Sequence, residues 1–237
     1  MKFFYPVLGA ISIAACVAPV VARADTQLGD FNISGNAGLV TDYVFRGVSQ
    51  TDEGPAVQGG FDIAHALGFY AGVWGSNVDF NDGDEASVEI DYYLGFSNKY
   101  QSFDYGLGLI YYSYPGAESD LDYDFVELTG SLGYDFDIAS LNGSVNYSPD
   151  FFGSTGAAFY YAAALDVPLP YDLSFNAHAG HQTIDEGRDY TDWSLGLGYN
   201  IAGFDLSLAY HDTDLHEPSE CQDGCGERVV VGVSRSF

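Results

Sequence analysis

The sequence predicts an all-β protein, a closed antiparallel transmembrane β-barrel of about twelve strands. Three observations predict it. Apolar and polar residues alternate with period two over segments of 10 or more residues. Such segments exceed the usual soluble strand of about 5–6 residues and match the roughly 9–11 tilted residues that cross a bilayer. Short turns alternate with long acidic loops. Finally, the chain ends on an alternating strand, Arg228-Val229-Val230-Val231-Gly232-Val233-Ser234-Arg235-Ser236-Phe237, closed by a carboxy-terminal aromatic.

The amino terminus reads as a cleaved secretory leader covering 1–24, which leaves 25–237 for the barrel. Lys2 gives the positive start, Val7 to Val21 is apolar, and Ala22-Arg23-Ala24 is a small-x-small cleavage site before Asp25. The run is too short for an anchor, and Cys16 within it offers a lipoprotein-like reading that ranks behind cleavage at Ala24.

Strands follow near 30–45, 56–66, 68–78, 86–97, 102–113, 123–134, 136–147, 156–166, 171–182, 190–200, 203–213 and 227–237. In the clearest, Val88, Ile90, Tyr92, Leu94 and Phe96 oppose Glu89, Asp91, Tyr93, Gly95 and Ser97. Leu141, Val145 and Tyr147 oppose Asn142, Ser144 and Asn146. Trp193, Leu195, Leu197 and Tyr199 oppose Ser194, Gly196, Gly198 and Asn200. Phe204, Leu206, Leu208 and Tyr210 oppose Asp205, Ser207, Ala209 and His211. No segment after the leader carries a helical period.

Tight turns fall at His65-Ala66-Leu67-Gly68, Asn98-Lys99-Tyr100-Gln101, Asp135, Pro168-Leu169-Pro170 and Ile201-Ala202. Between them lie loops at 49–55, 79–85, 115–122, 149–155, 183–189 and 213–227. Short turns at one end and long loops at the other is the asymmetry of outer-membrane barrels. An even strand count places both termini at the short-turn, periplasmic end. Backbone groups in lipid need partners, so the sheet must close on itself.

Composition agrees. There are 29 Gly, 19 Tyr and 17 Phe against a single Met, which suits packed strands with interfacial aromatics. Mean hydropathy is −0.02, so no helical span follows the leader. Removing the leader takes Lys2 and Arg23 and no acid, leaving five basic residues against 34 acidic ones, a formal charge of −29. Nucleic acid is thereby excluded as a partner, since its phosphates would be repelled. Tyr43, Phe45, Phe103, Tyr111, Tyr134, Tyr147, Tyr171, Tyr199 and Tyr210 fall near strand ends, where girdles form. Alternation cannot say which face is wet; the leader, terminal Phe and loop asymmetry choose a polar interior.

The stretch Asp42-Tyr43-x-Phe45-Arg46-Gly47-x-Ser49-Gln50-Thr51 is followed by Gly59-Gly60-Phe61-Asp62. Then come Gly72-Val73-Trp74-Gly75-Ser76-Asn77-Val78 and Glu89-Ile90-Asp91-Tyr92-Tyr93-Leu94-Gly95-Phe96. These residues resemble the TorF-type family of proteobacterial outer-membrane porins, densely over 35–96 and more loosely to the carboxy terminus. The resemblance implies a barrel in the bacterial outer membrane and a pore role. It implies no substrate, cofactor or catalytic residue, and Arg235 in the closing strand departs from its pattern.

Candidate pore-lining residues are Arg46, Asp62, Glu89, Asp91, Asp104, Glu127, Asp192 and Asp205. A wall of acids favours cations, so small hydrophilic cationic or neutral solutes are the expected cargo. Arg46 pairs with an inward carboxylate or holds the first loop by an ion pair. Val229, Val231, Val233 and Phe237 form the expected insertion signal, facing lipid; Arg235 there is tolerable if its side chain snorkels to headgroups. Expected partners are outer-membrane lipids, lipopolysaccharide, the barrel insertion machinery and small solutes, with no statement about oligomers. Cys221 and Cys225 in the longest loop are expected to form a disulfide after export; a metal site with His211 and His216 is the sharper alternative. Asp82-Gly83-Asp84-Glu85 offers oxygens for calcium but lacks a full loop, so neither a metal nor a cofactor is assigned. Two other readings stand behind the porin. One is a pore-less structural or adhesion barrel, plugged by inward Tyr93, Tyr112 and Tyr160 although Gly106, Gly108, Gly130, Gly133, Gly196 and Gly198 leave room. The other is a lipid hydrolase, for which His178 and His211 with Ser144, Ser194 and Ser207 carry no orienting motif.

Overall fold

The computed structural model describes residues 26–81, 86–221 and 223–237. The expected leader and the 82–85 acidic stretch lie outside the described residues. In chain order the strands are β1 (Thr26–Leu28), β2 (Phe31–Val40), β3 (Val44–Phe45), β4 (Val48–Ser49), β5 (Ala56–His65), β6 (Phe69–Asn77), β7 (Val88–Tyr100) and β8 (Phe103–Ser113). They continue as β9 (Phe125–Asp135), β10 (Ser140–Ser148), β11 (Ala158–Leu169), β12 (Leu173–Ile184), β13 (Tyr190–Ile201), β14 (Phe204–Thr213) and β15 (Arg228–Ser236). β2 and β5 to β15 pair in sequence as antiparallel neighbours, and β15 returns to β2, so twelve strands close the barrel. β3 and β4 form a separate two-stranded hairpin.

The closing register runs from Gly232 opposite Val40 to Ser236 opposite Asn36. Phe237 then exchanges both backbone hydrogen bonds with Gly35, at 2.7 and 2.9 Å. Gly35 is needed at this point: a Cβ there would meet the Phe237 ring at 2.9 Å and the Phe61 ring at 3.2 Å. Below Gly35, β1 takes over the same edge of β2, with Thr26 opposite Ile33 and Leu28 opposite Phe31.

The faces follow the period-two pattern. Tyr92, Leu94, Leu107, Leu132, Leu195, Leu208 and Val231 are exposed on the outside, a continuous apolar band far beyond what a soluble barrel presents to water. Inside, glycines admit tyrosines: Tyr160 lies over Gly180, Tyr93 over Gly72 and Tyr70 over Gly95, where no Cβ would fit. Two-residue turns with both φ angles positive join β11 to β12 at Tyr171 (68°) and Asp172 (58°), and β13 to β14 at Ala202 (54°) and Gly203 (80°). That backbone matches the twist of the flanking strands, so β11 runs through Leu169 and the turn falls later than Pro168-Leu169-Pro170.

Three readings are corrected. The first strand stops at Val40 rather than near 45, because residues 41–55 bend into the barrel and carry the β3–β4 hairpin. Tyr43 and Phe45 therefore leave the girdle: Tyr43 is buried inside, and Phe45 packs against the buried core of the long-loop half. Gly130 sits opposite outward Leu107 and belongs to the outer face, not the lumen.

Candidate functional site: a hairpin docked in the lumen

The 42–51 motif supplies each part of this hairpin. Asp42 accepts hydrogen bonds from Ser49 Oγ (2.6 Å) and Thr51 Oγ1 (3.0 Å). Thr51 Oγ1 in turn accepts from the Tyr43 backbone N–H (3.1 Å), and Gln50 N–H donates to the Tyr43 carbonyl (2.7 Å). At the tip, Arg46 and Gly47 take left-handed φ of 48° and 82°. Gly47 lies so close to Thr213 and Asp192 that a Cβ would overlap both. Gly47→Val is therefore expected to strain the turn and expel the hairpin, read as new protease cleavage within 41–55 in a barrel that stays folded by gel mobility.

The hairpin is fastened to the wall at four strands. Tyr43 donates to Glu89 Oε1 on β7 at 2.9 Å. Arg46 Nη2 holds both Glu127 oxygens on β9 at 2.8 and 2.7 Å, and its Nη1 donates to Gln182 Oε1 on β12 at 2.7 Å. Arg228 on β15 reaches Asp42 Oδ2 at 3.0 Å. The guanidinium is sandwiched by rings, 4.2 Å from the Tyr160 centroid and 4.6 Å from that of Phe45. Burial works against the charge of Arg46, yet the Glu127 carboxylate more than offsets this and holds the group above its ordinary pKa. Arg46 is 5% exposed and Glu127 1%, so neither tolerates the loss of the other.

Above the hairpin, Phe80, Tyr114, Tyr123 and Phe152 from three long loops form an aromatic cap, with Tyr123 stacked on Phe152 at 4.2 Å. The last loop leans on the hairpin from the other side. Ser49 N–H donates to the Gly224 carbonyl (2.7 Å), and Thr213 Oγ1 donates to the Cys225 carbonyl (2.6 Å). Cys221 and Cys225 are joined by a disulfide that frames these contacts. The pairing occupies both thiolates, which removes them as metal ligands. Reducing it frees a short loop, with an expected loss of roughly 2 kcal/mol from chain entropy. Intact mass before and after reduction checks the bond; slower proteolysis of 214–227 after reduction would contradict its bracing role.

The eight residues expected inside all face inward but form two tiers. Arg46, Glu89, Asp91, Glu127 and Asp192 are buried at the long-loop end. Asp62 accepts from Tyr93 Oη; Asp104 and Asp135 share Lys99, at 3.5 and 3.3 Å; Asp205 accepts from Asn200 at 2.7 Å. Asp62, Asp104 and Asp205 keep partial exposure in the other half. His178, Ser194 and His211 fall on one inward row across β12, β13 and β14, away from the outer surface. Sequence reasoning missed Gln182 and Arg228, which single alternating positions do not distinguish from any other wall residue, and read Tyr160 only as inward bulk rather than as a ring over Arg46. Val229 and Val231 are exposed outside, and the Arg235 guanidinium lies 5.0 Å above the Phe204 ring.

A closed twelve-strand barrel with an apolar exterior and a polar interior defines the class. The fold is that of the KdgM porin (TM-score 0.62, 11% identity, covering 86% of this chain and 99% of that one). It is equally that of the NanC porin (TM-score 0.57, 10% identity, 86% and 98%). A further solved structure is described as the KdgM porin in complex with disordered oligogalacturonate (TM-score 0.60, 10% identity, 86% and 98%). No curated protein sequence matches the chain. The chain belongs to the Gcw_chp family, described as bacterial proteins of unknown function, whose model matches residues 24–237.

Proposed function

We propose that the protein is a bacterial outer-membrane porin, of the TorF type its first hairpin resembles, passing small hydrophilic solutes by diffusion. The observation that carries this is the closed barrel with its lipid-compatible exterior and carboxylate-bearing interior. The 1–24 leader would be removed on export, and Val229, Val231, Val233 and Phe237 would be read by the insertion machinery. Lipid and lipopolysaccharide would surround the apolar band. Neutral and cationic solutes are favoured, because Asp62, Asp104 and Asp205 face inward, keep partial exposure and attract cations. A polyanion such as the oligogalacturonate of the KdgM complex would meet repulsion from the same wall. Reversal potentials in planar bilayers under a salt gradient are expected to show cation preference; anion preference overturns the selectivity.

A second reading, a barrel closed to solutes, draws on the docked hairpin and the aromatic cap above it. Silence across a solute panel would favour it. An enzymatic role gains nothing from the geometry, since the Ser–His row faces the lumen and the Asp192 beside it is bonded to Tyr160 at 2.9 Å.

A further inference from the structure

At the long-loop end, beside the hairpin, Glu89 and Asp91 project inward from β7 with their side chains against each other. Both are sealed from solvent, Glu89 at 1% and Asp91 at 0% exposure. Tyr43 donates to Glu89, and the Tyr114 hydroxyl also faces it. Asp91 differs: among the described residues neither of its carboxylate oxygens has a hydrogen-bond donor. Nor does any basic side chain among the described residues pair with either acid. Arg46 is committed to Glu127 and Gln182.

The charges therefore do not balance. Arg46 and Glu127 cancel, and two carboxylates remain in a sealed, aromatic-walled space. A buried ionised carboxylate without a partner costs several kcal/mol even after relaxation, and two side by side repel. Either a proton shared between them or a bound cation must accompany them. Two negative charges and an oxygen-only donor set match a hard divalent cation, since softer metals select nitrogen or sulfur ligands.

We propose that Glu89 and Asp91 form a buried binding site for a divalent cation of the calcium type, seated against the docked hairpin with the Tyr43 and Tyr114 hydroxyls beside it. The ion neutralises the β7 pair and ties the wall to the hairpin through Glu89 and Tyr43. The site is independent of whether solutes pass the barrel.

The test is to refold the exported chain into detergent with calcium, desalt it, and count bound metal by elemental analysis. The wild-type barrel is expected to retain about one more calcium than Asp91→Asn. Glu89→Gln is expected to lose it as well, and Asp104→Asn, altered in the short-turn half, to keep it. Heat-dependent gel mobility confirms that each variant is folded, and removing a repelling carboxylate should leave folding intact. Equal calcium in wild type and Asp91→Asn overturns the proposal. So does a wild-type barrel that desalts free of calcium and whose folded lifetime is indifferent to EDTA; the two acids would then share a proton. Neither result depends on conductance, so failure here and failure of the porin reading are separate.

Discussion

Arg46→Ala is expected to release the first loop from the lumen and to raise single-channel conductance severalfold. The substitution leaves Glu127 and the Gln182 carbonyl buried without their donor. Removing one partner of a buried ion pair costs about 3–5 kcal/mol. Because 1.4 kcal/mol is about a factor of ten, the docked state should lose more than a hundredfold in population. That loss falls on the hairpin, whose exit breaks none of the barrel's own ladders, so gel mobility should still report a folded barrel. Arg46→Met combined with Glu127→Gln removes both charges and is expected to recover much of the docking. A channel whose conductance and loop proteolysis are unchanged by Arg46→Ala would refute the hairpin as the constriction. A barrel silent in both forms would instead support the solute-closed reading.

Leu107→Arg is expected to cost about 2–4 kcal/mol in folding into lipid vesicles, the penalty of a cation near the bilayer midplane on a barrel's lipid face. Leu107 lies midway along β8 and is 69% exposed on the outer surface. The control is Ser144→Arg on β10, whose side chain faces the polar interior opposite Ala162 and Ser131. That variant should unfold in urea close to wild type. Equal costs at the two positions would mean that inside and outside have been assigned wrongly.

Much of this architecture was legible because a barrel wall is a regular object. Each strand reports its two faces through a period of two, and the turns report their end of the barrel by their length. That logic recovered β7, β13 and β14 to within a few residues and put Glu89 and Glu127 inside. It failed where residues stop obeying the wall. Tyr43 and Phe45 continue the alternation begun at Leu39, so the strand looks longer than it is. The departure is driven by tertiary bonds to β7, β9, β12 and β15 that no local pattern encodes. Arg46-Gly47 was the available clue: a glycine where φ must turn positive, beside one of only five basic residues beyond position 24. Gln182 gave no clue, and Tyr160 only its inward bulk, since their roles arise from facing Arg46 three and two strands round the barrel from Glu127, respectively.

The junction at β2 has a practical consequence for genetic manipulation. Phe237 is paired with Gly35, and Thr26 with Ile33, on the same edge and in the same direction. Only the level of Ser34 separates them, so β15 and β1 are two pieces of one interrupted strand. A tag appended to Phe237 would run into Thr26 and compete with β1 for its place. Joining Phe237 to Thr26 through a single residue, with new ends opened in the 183–189 loop, would instead yield a circular permutant that keeps every strand pairing.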